Sequence, residues 1–256
     1  MEKTEYDEGV PSWVDLSSPD LEASRGFYAQ LFGWTIEPGP PETGGYSNAM
    51  LRGIPVAGIG PQMDPNIPSH WTNYVNVADV DAVAGRVSKA GGQVVFGPDN
   101  AMEFGRLALF VDPAGAALGL WQPNTHHGAG LVNEPGAFTW SELLTSDTAG
   151  AKTFYKDVFG WDAVTHGEGP HEYTEFEVGG QSIAGMLPKP AEMPADAPSF
   201  WGPYFAVADI EASVAEVKKQ GGTVLMEPMT IPTGTFAAVN DNVGAFFSII
   251  QLATEA

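Results

Sequence analysis

The segment SWVDLSSPDLEASRGFYAQLFGW at residues 12–34 returns as TWSELLTSDTAGAKTFYKDVFGW at residues 139–161, an offset of 127. A chain that contains itself twice folds as two copies of one unit, which fixes the domain count before any other reading. The 256 residues divide into two units of roughly 120, each large enough to bury a core. The offset of 127 holds through Tyr46/Tyr173 and Ala57-Gly58/Ala184-Gly185. It becomes 130 at Trp71/Trp201, Asp79/Asp209 and Gly91-Gly92/Gly221-Gly222, then 129 at Gly105/Gly234 and Gly115/Gly244. Three residues are therefore inserted between 189 and 199, and one is lost before the last hairpin. Both changes fall in loops, where insertions are tolerated.

Each copy is itself made of two similar halves. A strand around Trp13–Leu16 precedes Pro19-Asp20, which opens a helix with the apolar stripe Leu21, Phe27, Tyr28, Leu31 and Phe32 and ends near Gly33. Short strands follow around 35–37, 46–51 and 55–59. The second half begins with WTNYVNVAD and continues as a helix over 80–89, closed by Gly91-Gly92, with strands near 93–96, 106–111 and 116–121. The second copy repeats the order with WSELL, a helix over 149–159, YFAVAD and a helix over 210–220. The expected class is α+β: four β-α-β-β-β modules forming two curved, cup-shaped mixed sheets. The expected divisions are a first domain at 8–123, a linker at 124–136 and a second domain at 137–253. A curved sheet with helices on one side leaves a concave face for a small molecule.

Composition narrows the partners. The 32 acidic residues against 11 basic ones give a net charge of −21, which repels nucleic acid and anionic lipid. There is no cysteine, so disulfides, thiolate catalysis and Cys-bound zinc are excluded. No apolar run is long enough to span a bilayer, and the opening MEKTEYDEG has no secretory character, so a cytoplasmic protein is expected, as monomer or homodimer. Gly91-Gly92 and Gly221-Gly222 follow helices and read as C-terminal caps rather than phosphate loops. No nucleotide-binding motif occurs, and no cofactor is expected.

Asp20 followed by Phe27-Tyr28 and Phe32-Gly33-Trp34, with the closing segments DPAGAALGLWQ at 112–122 and DNVGAFFSIIQ at 241–251, resembles the vicinal oxygen chelate superfamily. That superfamily includes glyoxalase I, extradiol dioxygenases and the bleomycin and fosfomycin resistance proteins. The likeness covers about residues 10–251 and is greatest to two-domain actinobacterial proteins of glyoxalase or hydroxylase type. The resemblance implies a tandem glyoxalase-like fold and, in metal-dependent members, ligands at three positions per cup. Those positions hold Trp13, Thr72 and Gly119 in the first copy and Trp140, Gly202 and Ser248 in the second. Trp and Gly offer a metal no lone pair, so no metal centre is expected.

Strand alternation supplies other candidates. If Trp13 faces the first cup, Asp15 and Ser17 face it too, and Trp140, Glu142 and Leu144 match them in the second. Asp15 and Glu142 are the candidate acid/base groups, or else acceptors of internal hydrogen bonds. Thr72, Tyr74 and Asn76 offer polar groups to the first cup; Gly202, Tyr204 and Ala206 are expected to make the second more apolar and roomier. Tyr46, Asn48, Tyr173 and Glu175 are candidate wall residues, with Ser248 on the closing strand. Trp13, Trp71, Trp121, Trp140 and Trp201 stack on a planar ligand or pack the domains together. Arg106 is a candidate contact for an acidic ligand group. His126-His127 reads as a solvated linker, and His166, His171 and Glu175 as a polar rim. The function expected is metal-independent binding of a planar or aromatic metabolite. The alternatives are a metal-independent isomerase, cyclase or lyase using Asp15 or Glu142, and a metal-dependent lactoylglutathione-lyase-like or dioxygenase-like enzyme.

Overall fold

Four β-α-β-β-β modules follow one another along the chain. The first is β1 (Pro11–Ser18), α1 (Leu21–Phe32), β2 (Thr35–Pro38), β3 (Ser47–Leu51) and β4 (Ile54–Pro61). The second is β5 (His70–Asn76), α2 (Val80–Lys89), β6 (Gln93–Ala101), β7 (Gly105–Val111) and β8 (Ala117–Pro123). The third is β9 (Phe138–Thr145), α3 (Thr148–Phe159), β10 (Asp162–His166), β11 (Tyr173–Val178) and β12 (Gln181–Pro188). The fourth is β13 (Phe200–Ala206), α4 (Ile210–Lys219), β14 (Thr223–Ile231), β15 (Gly234–Asn240) and β16 (Phe246–Leu252). The computed structural model describes residues 1–169, 172–190, 193 and 197–253. Among them no helix is long and apolar enough to cross a membrane.

Each of the four α-helices named above starts on an aspartate. Asp20, Asp79, Asp147 and Asp209 each accept a hydrogen bond from the backbone N–H three residues on, at 2.8–3.0 Å. Such a cap satisfies one of the N–H groups that a helix start leaves unpaired. Gly33 and Gly160 end α1 and α3 at φ of 71° and 79°, left-handed backbone that a β-carbon disfavours. Strand β6 extends beyond the expected 93–96, through two register shifts, to Ala101. It lies at a sheet edge, where the missing N–H of Pro98 breaks no ladder.

Each copy builds one eight-stranded sheet, in the orders β2-β3-β4-β1-β5-β8-β7-β6 and β10-β11-β12-β9-β13-β16-β15-β14. Two modules join at the centre, where β1 runs antiparallel to β5 and β9 to β13. The sheets turn their helix-bearing faces to each other, so the cups open on opposite sides. At the centre the sheets touch directly: Ser141 Oγ donates to Asn73 Oδ1 at 2.9 Å.

The two cores do not follow the two copies. One gathers Val14, Leu16, Phe27, Tyr28 and Ile59 of the first module with Phe205, Ile210, Val214 and Phe247 of the fourth. The other gathers Val75, Val83, Phe110 and Leu118 of the second with Phe154, Tyr155, Trp161 and Phe176 of the third. Tyr28 Oη donates to Asp241 at 2.8 Å and accepts from Trp71 Nε1 at 2.9 Å; Tyr155 Oη does the same with Asp112 and Trp201 at 2.9 and 2.8 Å. Trp34 and Trp161 donate to Gly136 O and Gly9 O, each at 2.7 Å. The aspartates of the closing segments also accept backbone N–H groups of their own turns. Burial nonetheless leaves both carboxyls above the usual carboxylate range.

Candidate functional site

Alternation along β1 sends Val14 and Leu16 to the helix side and Trp13, Asp15 and Ser17 to the cup. Asp15 stands in register with Gly58 of β4 and Thr72 of β5, at the floor of the first cup. Its side chain is half-buried and accepts hydrogen bonds from the hydroxyls of Tyr46 and Tyr74. Tyr46 Oη in turn accepts the Trp13 indole N–H at 3.1 Å, which leaves its own proton for Asp15. Protein surrounds the carboxyl so closely that desolvation, opposed by the two tyrosine donors, pushes its pKa from 3.8 up to about 7. Burial and the neighbouring carboxylate push both tyrosines well above their ordinary value.

The second cup repeats the arrangement. Trp140 Nε1 donates to Tyr173 Oη at 3.1 Å, and the hydroxyls of Tyr173 and Tyr204 both serve Glu142, Tyr204 at 2.7 Å. The residues pair at the offsets of the repeat, so the duplication carries a four-residue set: Trp13, Asp15, Tyr46 and Tyr74 beside Trp140, Glu142, Tyr173 and Tyr204. Desolvation raises the Glu142 pKa as well. Glycines make room for these side chains. A β-carbon on Gly58 would lie 1.8 Å from Tyr46 Oη, one on Gly119 2.2 Å from the Tyr74 ring, and one on Gly185 2.1 Å from Tyr173 Oη.

The copies differ in what covers the floor. Gly202 lies opposite Glu142, but Phe246 fills the space beside it and packs on Phe200 at 5.0 Å between ring centroids. The expected roomier second cup is thus corrected: Glu142 is only 6% exposed. Tyr204 packs against Phe236, and Ser248, in register with Tyr204, hydrogen-bonds its hydroxyl. Trp140 and Tyr173 stay half-buried. In the first cup it is the tryptophan that is covered. His126 packs edge-on to Trp13 at 4.3 Å and to Trp121 at 5.6 Å, and Trp121 Nε1 donates to His126 O at 2.8 Å. The reading of His126 as a solvated linker residue is therefore corrected. Burial, with the charge of His127 beside it, lowers its pKa to about 4.

Other candidates sort by face. Asn48 pairs with Gly58 and lines the first cup beside Tyr46; Thr72 hydrogen-bonds Tyr74. Asn76 uses its amide to hold the N-terminal segment, donating to Tyr6 O and Asp7 O at 2.7 and 3.2 Å. Arg106 does not reach the cup. It points to the helix side and pairs with Asp81 of α2 and with Asn100, at 2.8 and 2.7 Å, because its neighbour Leu107 takes the cup-facing place opposite Trp121. Trp71 and Trp201 belong to the interface between the copies. Glu175 accepts from Ser182 and lies 3.8 Å from His166; His171 lies outside the described residues. A groove of about 400 Å³ between α1 and α4, lined by Leu31, Phe32, Asp209 and Ser213 among others, belongs to neither cup.

These donors do not fit a metal. Trp13 spends its only polar atom on Tyr46, the Tyr74 ring occupies the space over Gly119, and Glu142 is a single carboxylate held by two tyrosines. Among the described residues no three His, Cys, Asp or Glu side chains come together. The positions that the resemblance assigns to ligands, Trp13, Thr72 and Gly119 with Trp140, Gly202 and Ser248, offer neither imidazole nor carboxylate.

The sequence model of the Glyoxalase/Bleomycin resistance protein/Dioxygenase superfamily matches residues 11–120 and 137–249. The chain is 40% identical to the "Putative glyoxylase CFP32" of Mycobacterium tuberculosis, over 99% of this chain and 98% of that one. It is 34% identical to the "Anthracycline biosynthesis protein DnrV" of Streptomyces peucetius, over 97% and 95%. Among solved structures, the fold is similar to the Mn(II)-bound glyoxalase from Novosphingobium aromaticivorans, with a TM-score of 0.66, 16% identity and coverage of 98% and 87%. It is also similar to the 2,3-dioxygenase LapB from Pseudomonas sp. KL28, with a TM-score of 0.68, 14% identity and coverage of 97% and 94%. At such identities the likeness concerns the fold alone.

Proposed function

The chain belongs to the Glyoxalase/Bleomycin resistance protein/Dioxygenase superfamily, and from that premise we propose that it binds a planar aromatic small molecule in its first cup without a metal. One observation carries the reading: Asp15, between Tyr46 and Tyr74, keeps part of its surface exposed on the floor of the first cup, while its counterpart Glu142 is only 6% exposed. Trp121, Tyr74, Leu107 and Leu109 form an apolar wall on one side of Asp15, and Tyr46 and Asn48 a polar one on the other. A flat ring system with a polar edge suits that pair of walls. The relative named for anthracycline biosynthesis supports the same class, since anthracyclines are fused planar rings.

Titration of tryptophan fluorescence with 2,6-dihydroxyanthraquinone, after dialysis against chelator, tests this. We expect saturable binding that Gly58→Ala weakens, because its β-carbon displaces Tyr46, and that Gly185→Ala leaves unchanged. A larger effect of Gly185→Ala would move the ligand to the second cup and refute the assignment. The half-open Asp15, titrating near 7, also favours a second reading as a metal-independent isomerase, cyclase or lyase. On that reading Asp15→Asn lowers turnover of a ketone-bearing ligand by about 10²–10⁴. Unchanged turnover removes it.

A further inference from the structure

Two buried polar atoms at one end of the first cup have no partner. Asn76 Oδ1 and His126 Nε2 are both closed to solvent and make no hydrogen bond. Asn76 is 7% exposed, and its amide nitrogen is already committed to Tyr6 O and Asp7 O, which fixes which end of the side chain is free. The His126 ring bridges Trp13 of β1 and Trp121 of β8. Strand β5 runs between those two, so the ring lies across the strand that carries Asn76, which is itself in register with Trp121. Native interiors pair almost all their buried polar atoms, and two orphans beside the same tryptophan, Trp121, point to a group that both could bind. The second cup has no equivalent: Ala206 stands for Asn76 and Ile250 for Trp121.

We propose that Asn76 Oδ1 and the inward ring nitrogen of His126 form a subsite for a hydroxyl group on the aromatic ligand, covered by the strap of residues 124–130. The inference rests on the reading that the first cup binds such a ligand, and it specifies the substituent. A hydroxyl both donates and accepts, so it satisfies a carbonyl-type oxygen and an N–H together; an ether lacks the proton that Asn76 needs. The low pKa of His126 keeps the imidazole neutral, so the subsite carries no charge that selects an anion. The strap is anchored at one end: Tyr6 Oη donates to Ala129 O, Lys3 N to Gly130 O, Ala129 N to Ser12 O and Gly130 N to Pro55 O, and Ala129 is fully buried. Its exposed end is tied to the loop at 103–104 and to Trp121, with Asn124 N and His126 N donating to Phe104 O, Asn124 Nδ2 and Thr125 Oγ1 to Glu103 O, and Trp121 Nε1 to His126 O. That end, residues 124–127, lifts to admit the ring and closes over its hydroxyl.

The test compares 2,6-dihydroxyanthraquinone with its dimethoxy ether at about pH 6, on the wild-type chain, on His126→Phe and on Asn76→Leu. The His126 substitution keeps an aromatic ring between the two indoles and removes both ring nitrogens. The wild-type chain should prefer the dihydroxy compound about tenfold, the worth of one buried hydrogen bond. In Asn76→Leu that preference should vanish, because only Asn76 needs the hydroxyl proton; in His126→Phe both compounds should lose affinity alike, because either oxygen accepts the ring N–H. His126→Leu provides the same comparison if the phenyl ring disturbs the strap. Hydrogen exchange of residues 126–130 should slow when the dihydroxy compound binds. Equal affinities in the wild-type chain, a preference retained in Asn76→Leu, or unchanged affinity for both compounds in His126→Phe and His126→Leu would overturn the subsite and leave the first-cup reading standing. A crystal structure of the complex with only an ordered water between Asn76 and His126 would do the same. Failure of the wild-type chain to bind either quinone would overturn both.

Discussion

Replacing Asp15 by Asn should change how stability depends on pH, by an amount that follows from its surroundings. Desolvation holds the folded-state pKa at about 7 against 3.8 for a free side chain. Between those values the folded chain keeps a proton that the unfolded chain has released. Unfolding free energy therefore falls as pH rises: the contribution is complete below about 4 and lost as pH passes through about 7. A gap of about 3 pH units corresponds to about 4 kcal/mol. Solvent reaching the half-buried side chain screens part of it, and about 2 kcal/mol is the working figure. Asn has the same shape, keeps an oxygen for the two tyrosines and never ionises. The variant should exceed the wild-type chain by less than about 1 kcal/mol at pH 5 and by about 2 kcal/mol at pH 8.5, the latter a rise in Tm of about 4–8 °C for a chain of this size. Thermal unfolding of both proteins by circular dichroism across pH 5–9 measures the difference, in which the titration of the remaining acidic residues cancels. A difference that stays flat over that range would refute the argument, because an ordinary surface carboxyl is ionised throughout it.

Two further perturbations separate structural groups from the cup. Tyr28→Phe removes a hydroxyl shared by Trp71 Nε1 and the buried Asp241, leaving the indole N–H and Asp241 Oδ2 unpaired, and should cost about 2–4 kcal/mol in urea unfolding. Tyr155→Phe should cost a similar amount, and a loss below about 0.5 kcal/mol in either would show that these bonds do not tie the copies together. Glu142→Gln preserves an acceptor for Tyr204 and Tyr173 and removes a charge that burial disfavours. It should leave quinone affinity unchanged at any pH, and weaker binding in a fluorescence titration would relocate the ligand to the second cup.

The repeat made the fold legible, because elements that recur at a fixed offset must serve the same structural purpose twice. It also pointed to the floor of each cup, since Trp13, Asp15, Tyr46 and Tyr74 all have counterparts of like chemistry. Four things were not legible. Arg106 reads as a ligand contact only while strand parity is left out of account, and Leu107 beside it holds the cup-facing place. Gly202 read as empty space, but what a glycine leaves open is decided by side chains remote in sequence, here Phe246. His126 lies in the linker, which the repeat does not duplicate, so no internal comparison singles it out. The crossed packing of first module on fourth and second on third was equally hidden, since each helix stripe is apolar whichever sheet it meets.

The two cups carry the same floor and expose opposite ends of it. In the first, the strap covers the indole and Asp15 is half-buried; in the second, Phe246 and Phe200 fill the space at Gly202, in register with the buried Glu142, and the indole is half-buried. Both floors keep the Trp–Tyr–carboxyl–Tyr chain, so the chain has a structural purpose independent of any ligand: it satisfies polar groups on strands at the centre of each sheet. Only what lies above it differs. Access to a conserved arrangement of hydrogen bonds, rather than a new set of residues, therefore separates the cups, and a binding role follows the cup in which the desolvated carboxyl is within reach. The second cup, with its acid sealed beneath two phenylalanines, then acts as the internal control that duplication supplies: any ligand effect specific to Asp15 must be absent at Glu142.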